Sequence, residues 1–153
     1  MFDVGGSTRQ EIRIVLADDH AVVRAGLRAL LEKQPGILVV GEAQTGGEAV
    51  ALTASARPHV VLMDLAMPIV SGDEAMVGLK ADPLTRNIPV IVTTAFSYGP
   101  HVDRAIAFGA AEVLYKPFHL KSLHAMLQRH LSVNHEPTDG LPITRTRSSR
   151  PIL

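Results

Sequence analysis

Five short apolar runs, each the length of a β-strand, alternate with segments in which apolar residues recur at helical spacing. The runs are rich in β-branched residues and are bounded by Gly, Pro or acidic residues, as is typical of buried strands. The apolar runs predict strands at residues 12–17, 37–40, 59–63, 90–93 and 113–115. The segments between and after them predict helices at residues 22–31, 49–56, 74–81, 102–108 and 120–131.

This alternation of strands and helices favours an α/β fold with a parallel sheet of five strands. The strands are almost continuously apolar, which is expected when helices cover both faces of the sheet. In the first predicted helix, one apolar stripe is of the kind that faces a core, with basic and acidic residues off it. The stripe consists of Val22, Val23, Leu27, Leu30 and Leu31.

Composition limits the possible classes of protein. The chain has 153 residues, of which 46% are hydrophobic, and this suits a single domain with a substantial core. Lys+Arg and Asp+Glu both number 15, which argues against a generally basic nucleic-acid-binding surface. The absence of cysteine excludes disulfides and thiolate metal sites. No apolar run approaches the roughly 20 residues of a membrane span, and we expect a cytoplasmic protein.

The two ends of the chain differ from the segment between them. Residues 1–11 are mainly polar and contain glycine, which predicts a flexible lead-in. Residues 132–153 contain three prolines with several Ser and Thr residues, which predicts a flexible C-terminal tail. We therefore expect one domain at residues 12–131.

Polar side chains follow four of the five predicted strands. Asp18 and Asp19 follow the first strand, Asp64 the third, Thr94 the fourth and Lys116 the fifth. In doubly wound sheets, ligands bind beyond the carboxyl ends of the strands. If the strand order makes these ends neighbours, three carboxylates, one hydroxyl and one ammonium lie at one edge of the sheet.

Such a group of side chains has a specific chemistry. Clustered carboxylates repel one another unless a cation lies among them, and oxygen ligands favour a hard ion such as Mg²⁺. The ammonium and the hydroxyl suit a tetrahedral anion, and a carboxylate can itself accept a phosphoryl group as a nucleophile. Transfer then requires in-line positioning and charge neutralisation.

Four segments, in this order, resemble bacterial two-component response-regulator receiver domains. The resemblance covers about residues 12–131. It is carried by residues 16–20, residues 63–68 with Gly72, residues 92–95, and residues 109–118 with their Lys-Pro-Phe end. It implies a doubly wound, flavodoxin-like sheet in the order 2-1-3-4-5 with five helices.

The resemblance also implies a role for each residue of the site. Asp64 would accept a phosphoryl group from the histidine of a sensor kinase or of a histidine phosphotransfer protein. Asp19 would bind Mg²⁺ directly together with Asp64, and Asp18 would assist through a metal-bound water. The backbone carbonyl of Ala66 would be a further ligand of the metal.

Two other side chains would contact the phosphoryl group itself. Thr94 would form a hydrogen bond with its oxygens, and Lys116 would pair with its charge. The peptide bond between Lys116 and Pro117 would be cis. The protein would not be an enzyme on other substrates and would promote only its own phosphorylation and dephosphorylation.

The sequence departs from this family at three positions. Val113 stands where many receivers have an aromatic residue that swings inward on activation, and valine is stiff at χ1 with little reach. Ala66 and Phe96 flank the site with apolar side chains, which cannot orient an attacking water. We therefore expect slow loss of the phosphoryl group.

Three functions compete. Only residues 132–153 follow the predicted domain, so a stand-alone receiver is expected, and residues 82–89 resemble a loop of chemotaxis-like single-domain members. It would act on a downstream protein, without binding DNA or membranes, and dimerisation linked to phosphorylation is compatible with this.

Residues 14–42 instead resemble receivers of DNA-binding regulators, so the alternative is a regulator whose effector domain is absent. A Mg²⁺-dependent phosphohydrolase is the third, disfavoured because Ala66 occupies the position of its second acid.

Overall fold

The computed structural model describes residues 11–95 and 99–132. Five strands alternate with five helices along the chain. These are β1 (Ile12–Ala17), α1 (Ala21–Glu32), β2 (Ile37–Ala43), α2 (Gly46–Ala56), β3 (Val60–Asp64), α3 (Gly72–Ala81), β4 (Val90–Thr94), α4 (Pro100–Ala107), β5 (Glu112–Tyr115) and α5 (Leu120–Ser132). Phe96, nearly all of the predicted lead-in and nearly all of the predicted tail lie outside the described residues.

The five strands form one parallel sheet in the order β2-β1-β3-β4-β5. This confirms the predicted α/β fold and the doubly wound order. The chain runs from β1 to β2 on one side and then from β2 past β1 to β3 on the other, so the carboxyl ends of β1 and β3 are adjacent at the switch point of the sheet. All five residues of β3 and of β4 are buried, as expected for strands covered on both faces.

Two apolar clusters lie on opposite faces of the sheet. One cluster joins β-strand residues to α2, α3 and α4, for example through Ala49, Met76 and Val102. The other joins the alternate strand residues to α1 and α5, for example through Leu31 and Leu127. Alternating side chains of each strand therefore fix the sheet between two layers of helices.

Strand β2 is longer than its sequence pattern predicts, because it continues from Val40 to Ala43. The pairing with β1 shifts by one residue between Ile14 and Val15, which places a bulge at Val40. Gly41 then lies under α2, where a Cβ atom would come within 2.5 Å of Leu52. Glycine and glutamate are depleted in strands, so the pattern hid this extension.

Helix α1 corrects the predicted apolar stripe. Leu31 is buried and Leu27 packs against the core, but Val22 is 87% exposed, and Val23 and Leu30 are also exposed. The face of the helix that meets the sheet carries Leu27 and Leu31 together with Arg24 and Arg28. The two arginines form ion pairs with Glu42 of β2 at 3.1 and 2.6 Å. The rest of the predicted stripe lies outside this face and is exposed.

The other boundaries lie within three residues of the prediction, and β1 coincides with it. Helix α3 begins at Gly72 rather than at residue 74, and α4 begins at Pro100 rather than at residue 102. Helix α2 begins earlier as well, at Gly46, after the cap residue Thr45 whose hydroxyl accepts a hydrogen bond from the backbone of Glu48. None of the helices in the described part of the chain is long and apolar enough to cross a bilayer.

Candidate functional site

The candidate site lies at the carboxyl ends of the central strands. Asp18 follows β1 directly, Asp64 is the last residue of β3, and Lys116 follows β5. The Nζ atom of Lys116 lies 3.2 Å from Oδ2 of Asp18 and 3.3 Å from Oδ2 of Asp64. The topology therefore brings together three residues that are far apart in the sequence. One ammonium pairs with two carboxylates there.

Asp64 is a buried acid that adjoins both the Lys116 ammonium and a backbone donor. It is 4% exposed, and its Oδ1 accepts a hydrogen bond of 3.2 Å from the backbone N–H of Ala66. Burial raises the pKa of the Asp64 carboxyl above its ordinary value of 3.8. Lys116 and the Ala66 N–H lower that pKa in part, and the negative charge of Asp18 raises it further.

The adjacent acidic pair is held by the turn that leads into α1. The backbone N–H of His20 donates a hydrogen bond of 2.8 Å to Oδ1 of Asp18. Asp18 is buried, whereas Asp19 is exposed. Ligand atoms of Asp18, Asp19, His20 and Asp64 all lie within 4.8 Å of one another.

This donor set fits a hard divalent cation. Three carboxylates face the single ammonium of Lys116, so negative charge is in excess at neutral pH. Carboxylate oxygens are the ligands that Mg²⁺ prefers, and the exposure of Asp19 leaves room for the waters that Mg²⁺ retains. Asp18, Asp19 and Asp64 are therefore brought together as the sequence predicts.

Thr94 and Ala66 complete the surroundings of Asp64. Thr94 is the buried last residue of β4, and its backbone carbonyl accepts a hydrogen bond of 2.8 Å from the N–H of Lys116. This bond links the ends of β4 and β5 beside the site. Ala66 is exposed, and its N–H contacts Asp64. The peptide bond between Lys116 and Pro117 is cis, as the resemblance implies.

A tight loop connects Asp64 to α3. The N–H of Gly72 donates a hydrogen bond of 3.0 Å to the carbonyl of Leu65. A Cβ atom on Gly72 would come within 2.5 Å of the Asp64 carbonyl oxygen, so this approach requires glycine. Within the same loop, Ile69 has a φ of 68°, a left-handed conformation that is costly for a β-branched residue.

Val113 faces the same layer as α4. Its partly buried side chain packs against the cluster that contains Val102 and Ala105. Leu114 belongs to the opposite cluster, and Tyr115, which is exposed, follows at the end of β5. The position that carries an aromatic residue in many receivers is thus filled by a short side chain within the α4 layer.

Two polar features of the structure were not anticipated from the sequence. The first is the proximity of the His20 ring to both acids. Its Nδ1 atom lies 3.2 Å from Asp18 and 3.1 Å from Asp19. The only sequence signal was its position directly after the acidic pair.

The second feature is a buried acid in the first turn of α3. Asp73 is 2% exposed and accepts a hydrogen bond of 2.6 Å from the Ser71 hydroxyl. It also lies 3.3 Å from Nδ1 of His101 and 3.4 Å from Nε of Arg104, both on α4. An acid in the first turn of a helix is usually exposed, so the sequence carried no sign of this contact between helices.

Comparison with known proteins agrees with this geometry. A sequence model of the response regulator receiver domain matches residues 14–128. The transcriptional regulatory protein LiaR of Bacillus subtilis is 43% identical over 108 residues, which are 69% of this chain and 49% of LiaR. The response regulator UvrY of Escherichia coli is 40% identical over 105 residues, which are 69% of this chain and 47% of UvrY. The chain thus spans about half the length of these curated relatives.

Solved structures show the same architecture. The receiver domain of the sensor histidine kinase PA1611 from Pseudomonas aeruginosa has a magnesium ion in its active-site cleft. It is 27% identical and matches with a TM-score of 0.73, over 80% of this chain and 98% of that domain. The signal receiver domain of NarL from Mycobacterium tuberculosis, also 27% identical, matches with a TM-score of 0.70 over 78% of this chain and 98% of that chain. Since the receiver-domain model matches most of the described residues and the site has the acids and the lysine in place, the chain belongs to the response regulator receiver domain family.

Proposed function

We propose that Asp64 is the residue of this receiver that accepts the phosphoryl group. The observation that carries the proposal is the convergence of the Asp64 carboxylate with the Lys116 ammonium, 3.3 Å apart, beside two further acids. In the transfer, an Asp64 oxygen forms a bond to phosphorus while the bond from phosphorus to the donor's histidine nitrogen breaks. The electron pair of that bond returns to the imidazole of the donor.

Each neighbouring group has a part in this step. Mg²⁺ held by Asp19, Asp64 and the backbone carbonyl of Ala66, with Asp18 assisting through a metal-bound water, would neutralise the charge of the phosphoryl oxygens. Lys116, already next to Asp64, pairs with the same charge from the protein side. The Thr94 hydroxyl donates a hydrogen bond to a phosphoryl oxygen. The position of Thr94 at the end of β4, beside the end of β3, supports this role.

Phosphorylation by a small donor tests the acceptor. Wild-type protein is incubated with acetyl phosphate and Mg²⁺, and the mass of the intact protein is measured. We expect one acid-labile phosphoryl group in the wild type and none in Asp64→Asn. Asp103→Asn, an exposed acid on α4, is the matched control and should be labelled like the wild type. Label retained in Asp64→Asn would contradict the proposal.

Titration calorimetry tests the metal. Asp19→Ala removes one carboxylate from the cluster, so Mg²⁺ affinity should fall by at least about tenfold. Labelling by acetyl phosphate should fall with it. Unchanged Mg²⁺ binding in Asp19→Ala would exclude this acid as a ligand.

The partners follow from the same chemistry. We propose a sensor histidine kinase or a histidine phosphotransfer protein as donor, in the cytoplasm, and a downstream protein as target. The receiver domain would occupy residues 12–131, and it would turn over no substrate other than its own phosphoryl group. Profiling transfer from candidate kinases, with Asp64→Asn as control, identifies the donor.

A second candidate function is favoured by the relatives. LiaR and UvrY are regulatory proteins about one and a half times as long as this chain, and the matched part is about half of each. This supports the alternative that the chain is the receiver part of a DNA-binding regulator. Reading the gene through to its stop codon distinguishes the two. A continuous reading frame that encodes a further domain supports the regulator, and a stop after residue 153 supports the stand-alone receiver.

A further inference from the structure

His20 lies closer to the proposed metal site than a residue of the helix cap requires. Its ring Nδ1 is 3.2 Å from Oδ1 of Asp18 and 3.1 Å from Oδ1 of Asp19. Its backbone occupies the cap position of α1, but its side chain forms no capping hydrogen bond. The ring therefore faces the two carboxylates and leaves the helix terminus to the backbone.

We propose that Nδ1 of His20 is a direct ligand of the divalent cation and makes this receiver select for transition-metal ions over Mg²⁺. The inference rests on the proposed function only in using the same cation site. Oxygen ligands alone suit Mg²⁺, whereas imidazole nitrogen favours ions such as Fe²⁺, Ni²⁺ and Zn²⁺. One nitrogen ligand beside three carboxylates therefore shifts the preference of the site from Mg²⁺ toward transition-metal ions.

The spacing of the donor atoms supports this arrangement. Adjacent ligands of an octahedral ion lie about 3 Å apart when each metal–ligand bond is about 2.1 Å. The two distances from His20 Nδ1 to the carboxylate oxygens are close to that value. An ion can therefore enter between the ring and the acids with little movement of Asp18, which the His20 N–H holds at 2.8 Å.

The accessibility of the ring also supports it. The His20 side chain is 64% exposed, so coordination requires no opening of the core. Asp64 and Asp18 are buried below it, and Lys116 approaches them through their Oδ2 atoms. The His20 ring approaches Asp18 through the other oxygen, Oδ1. The ammonium and the imidazole therefore occupy different sides of the same acid and do not compete for one position.

The alternative is that the ring only donates a hydrogen bond to the carboxylates. His20→Gln separates the two, because glutamine retains a hydrogen-bond donor and is a poor ligand for transition metals. His124→Gln, on α5, is the matched control for loss of a histidine elsewhere.

The test is calorimetric titration of each variant with Ni²⁺ and, separately, with Mg²⁺. Loss of outer-sphere partners typically costs 10- to 100-fold in metal affinity, so loss of a direct ligand should weaken Ni²⁺ binding by at least about tenfold. We expect a much smaller change for Mg²⁺, and no change for either ion in His124→Gln. Equal changes for the two ions in His20→Gln, or no change, would overturn the proposal.

A spectroscopic measurement gives an independent result. Electron spin-echo modulation of the Mn²⁺-loaded wild type should show coupling to a directly bound nitrogen, and this coupling should be absent in His20→Gln. Absence of nitrogen coupling in the wild type would refute coordination by His20. If instead Mg²⁺ binds and Asp64 is labelled normally, the proposed receiver function stands whichever result the nitrogen gives.

Discussion

At the scale of single residues, the site is assembled from groups that are unfavourable for the fold. Asp64 is buried beside Asp18, and its pKa is raised because burial disfavours its charge. Residues that serve chemistry commonly reduce stability in this way. The single ammonium of Lys116 offsets part of the cost, and a cation would offset more.

Replacing the Asp64 carboxylate by a neutral amide should therefore stabilise the protein. A raised pKa in the folded state means that the fold favours the protonated acid, so its stabilising effect is lost as the pH rises through that pKa. At pH 7 without divalent ions, Asp64→Asn should raise the free energy of unfolding by about 1 kcal/mol. For a chain of this size, the Tm should rise by about 2–4 °C. Asp103→Asn is the control, and a lower Tm for Asp64→Asn would contradict the argument.

The backbone conformation of Ile69 also lowers the free energy of unfolding. Its φ is 68° and its side chain is 91% exposed, so no buried contact offsets the left-handed conformation. Ile69→Gly should stabilise the protein by about 0.5–1 kcal/mol, because relief of strain exceeds the added flexibility of the unfolded chain. Denaturant unfolding measures the gain. Ile69→Ala retains a Cβ atom and should recover less of it, and equal gains would argue against strain.

We expect the residue two positions after Asp64, the proposed acceptor, to influence the lifetime of the phosphorylated state. Ala66 is exposed and has no polar side-chain atom to orient an attacking water. We expect a lifetime well above seconds in the wild type and a shorter one in Ala66→Gln, whose amide can hold a water near phosphorus. Mass spectrometry of the labelled proteins over time measures both lifetimes. Ala81→Gln, at the end of α3, is the control.

At the scale of elements, a buried acid joins the start of α3 to α4. Burial raises the pKa of Asp73, but hydrogen bonds from Ser71 and His101 outweigh this effect, so that pKa lies below 3.8. A lowered pKa means that the acid stabilises the fold at neutral pH. This contribution is lost as the pH falls through the lowered pKa.

Asp73→Asn should therefore lower the free energy of unfolding at pH 7 by about 1–2 kcal/mol. This value is small for a buried acid because both partners on α4 are more than half exposed to solvent. The difference from the wild type should shrink as the pH falls below about 4, because the Asp73 carboxyl of the unfolded chain takes up a proton there before that of the folded protein. Unfolding in denaturant between pH 3 and pH 7 measures this. Glu74→Gln, the exposed neighbour, should show no such dependence.

The elements also show how much the sequence can predict. Strands β1, β3 and β4 follow from continuous apolar runs, because only a doubly covered sheet gives that pattern. The end of β2 does not, since Gly41 is selected by the approach of Leu52 rather than by strand propensity. The exposure of Val22 was also missed, because periodicity identifies an apolar face without showing whether a neighbour covers it.

The residues of the candidate site also fall into those that the sequence can predict and those that it cannot. Asp18, Asp19, Asp64 and Lys116 were identifiable because each follows a strand, and parallel strands end at one edge of the sheet. His20 and Asp73 were not, because their surroundings depend on a turn and on a contact between helices. Distances between side chains from different elements are set by packing and have no signature in local sequence.

At the scale of the whole molecule, the proposed phosphorylation of Asp64 would act by changing a surface that a partner contacts. Thr94 ends β4 and leads toward α4, and Lys116 follows β5 and leads toward α5. The backbone bond from Lys116 to Thr94 already links these two strand ends. A phosphoryl group that binds both side chains would favour one arrangement of α4, β5 and α5 over another.

Hydrogen exchange with and without acetyl phosphate should therefore show changed protection between Gly99 and Phe118. The free energy by which phosphorylation favours one arrangement over the other is limited to what the contacts of Thr94 and Lys116 supply. Couplings of this kind are about 1–3 kcal/mol. Because Val113 fills the α4 layer with a short side chain, the change in β5 should be smaller than the change at the start of α4. Asp64→Asn is the control and should show no difference. If protection changes only within residues 22–31, the signal leaves through α1, whose apolar side chains are already exposed, and the proposed route is wrong.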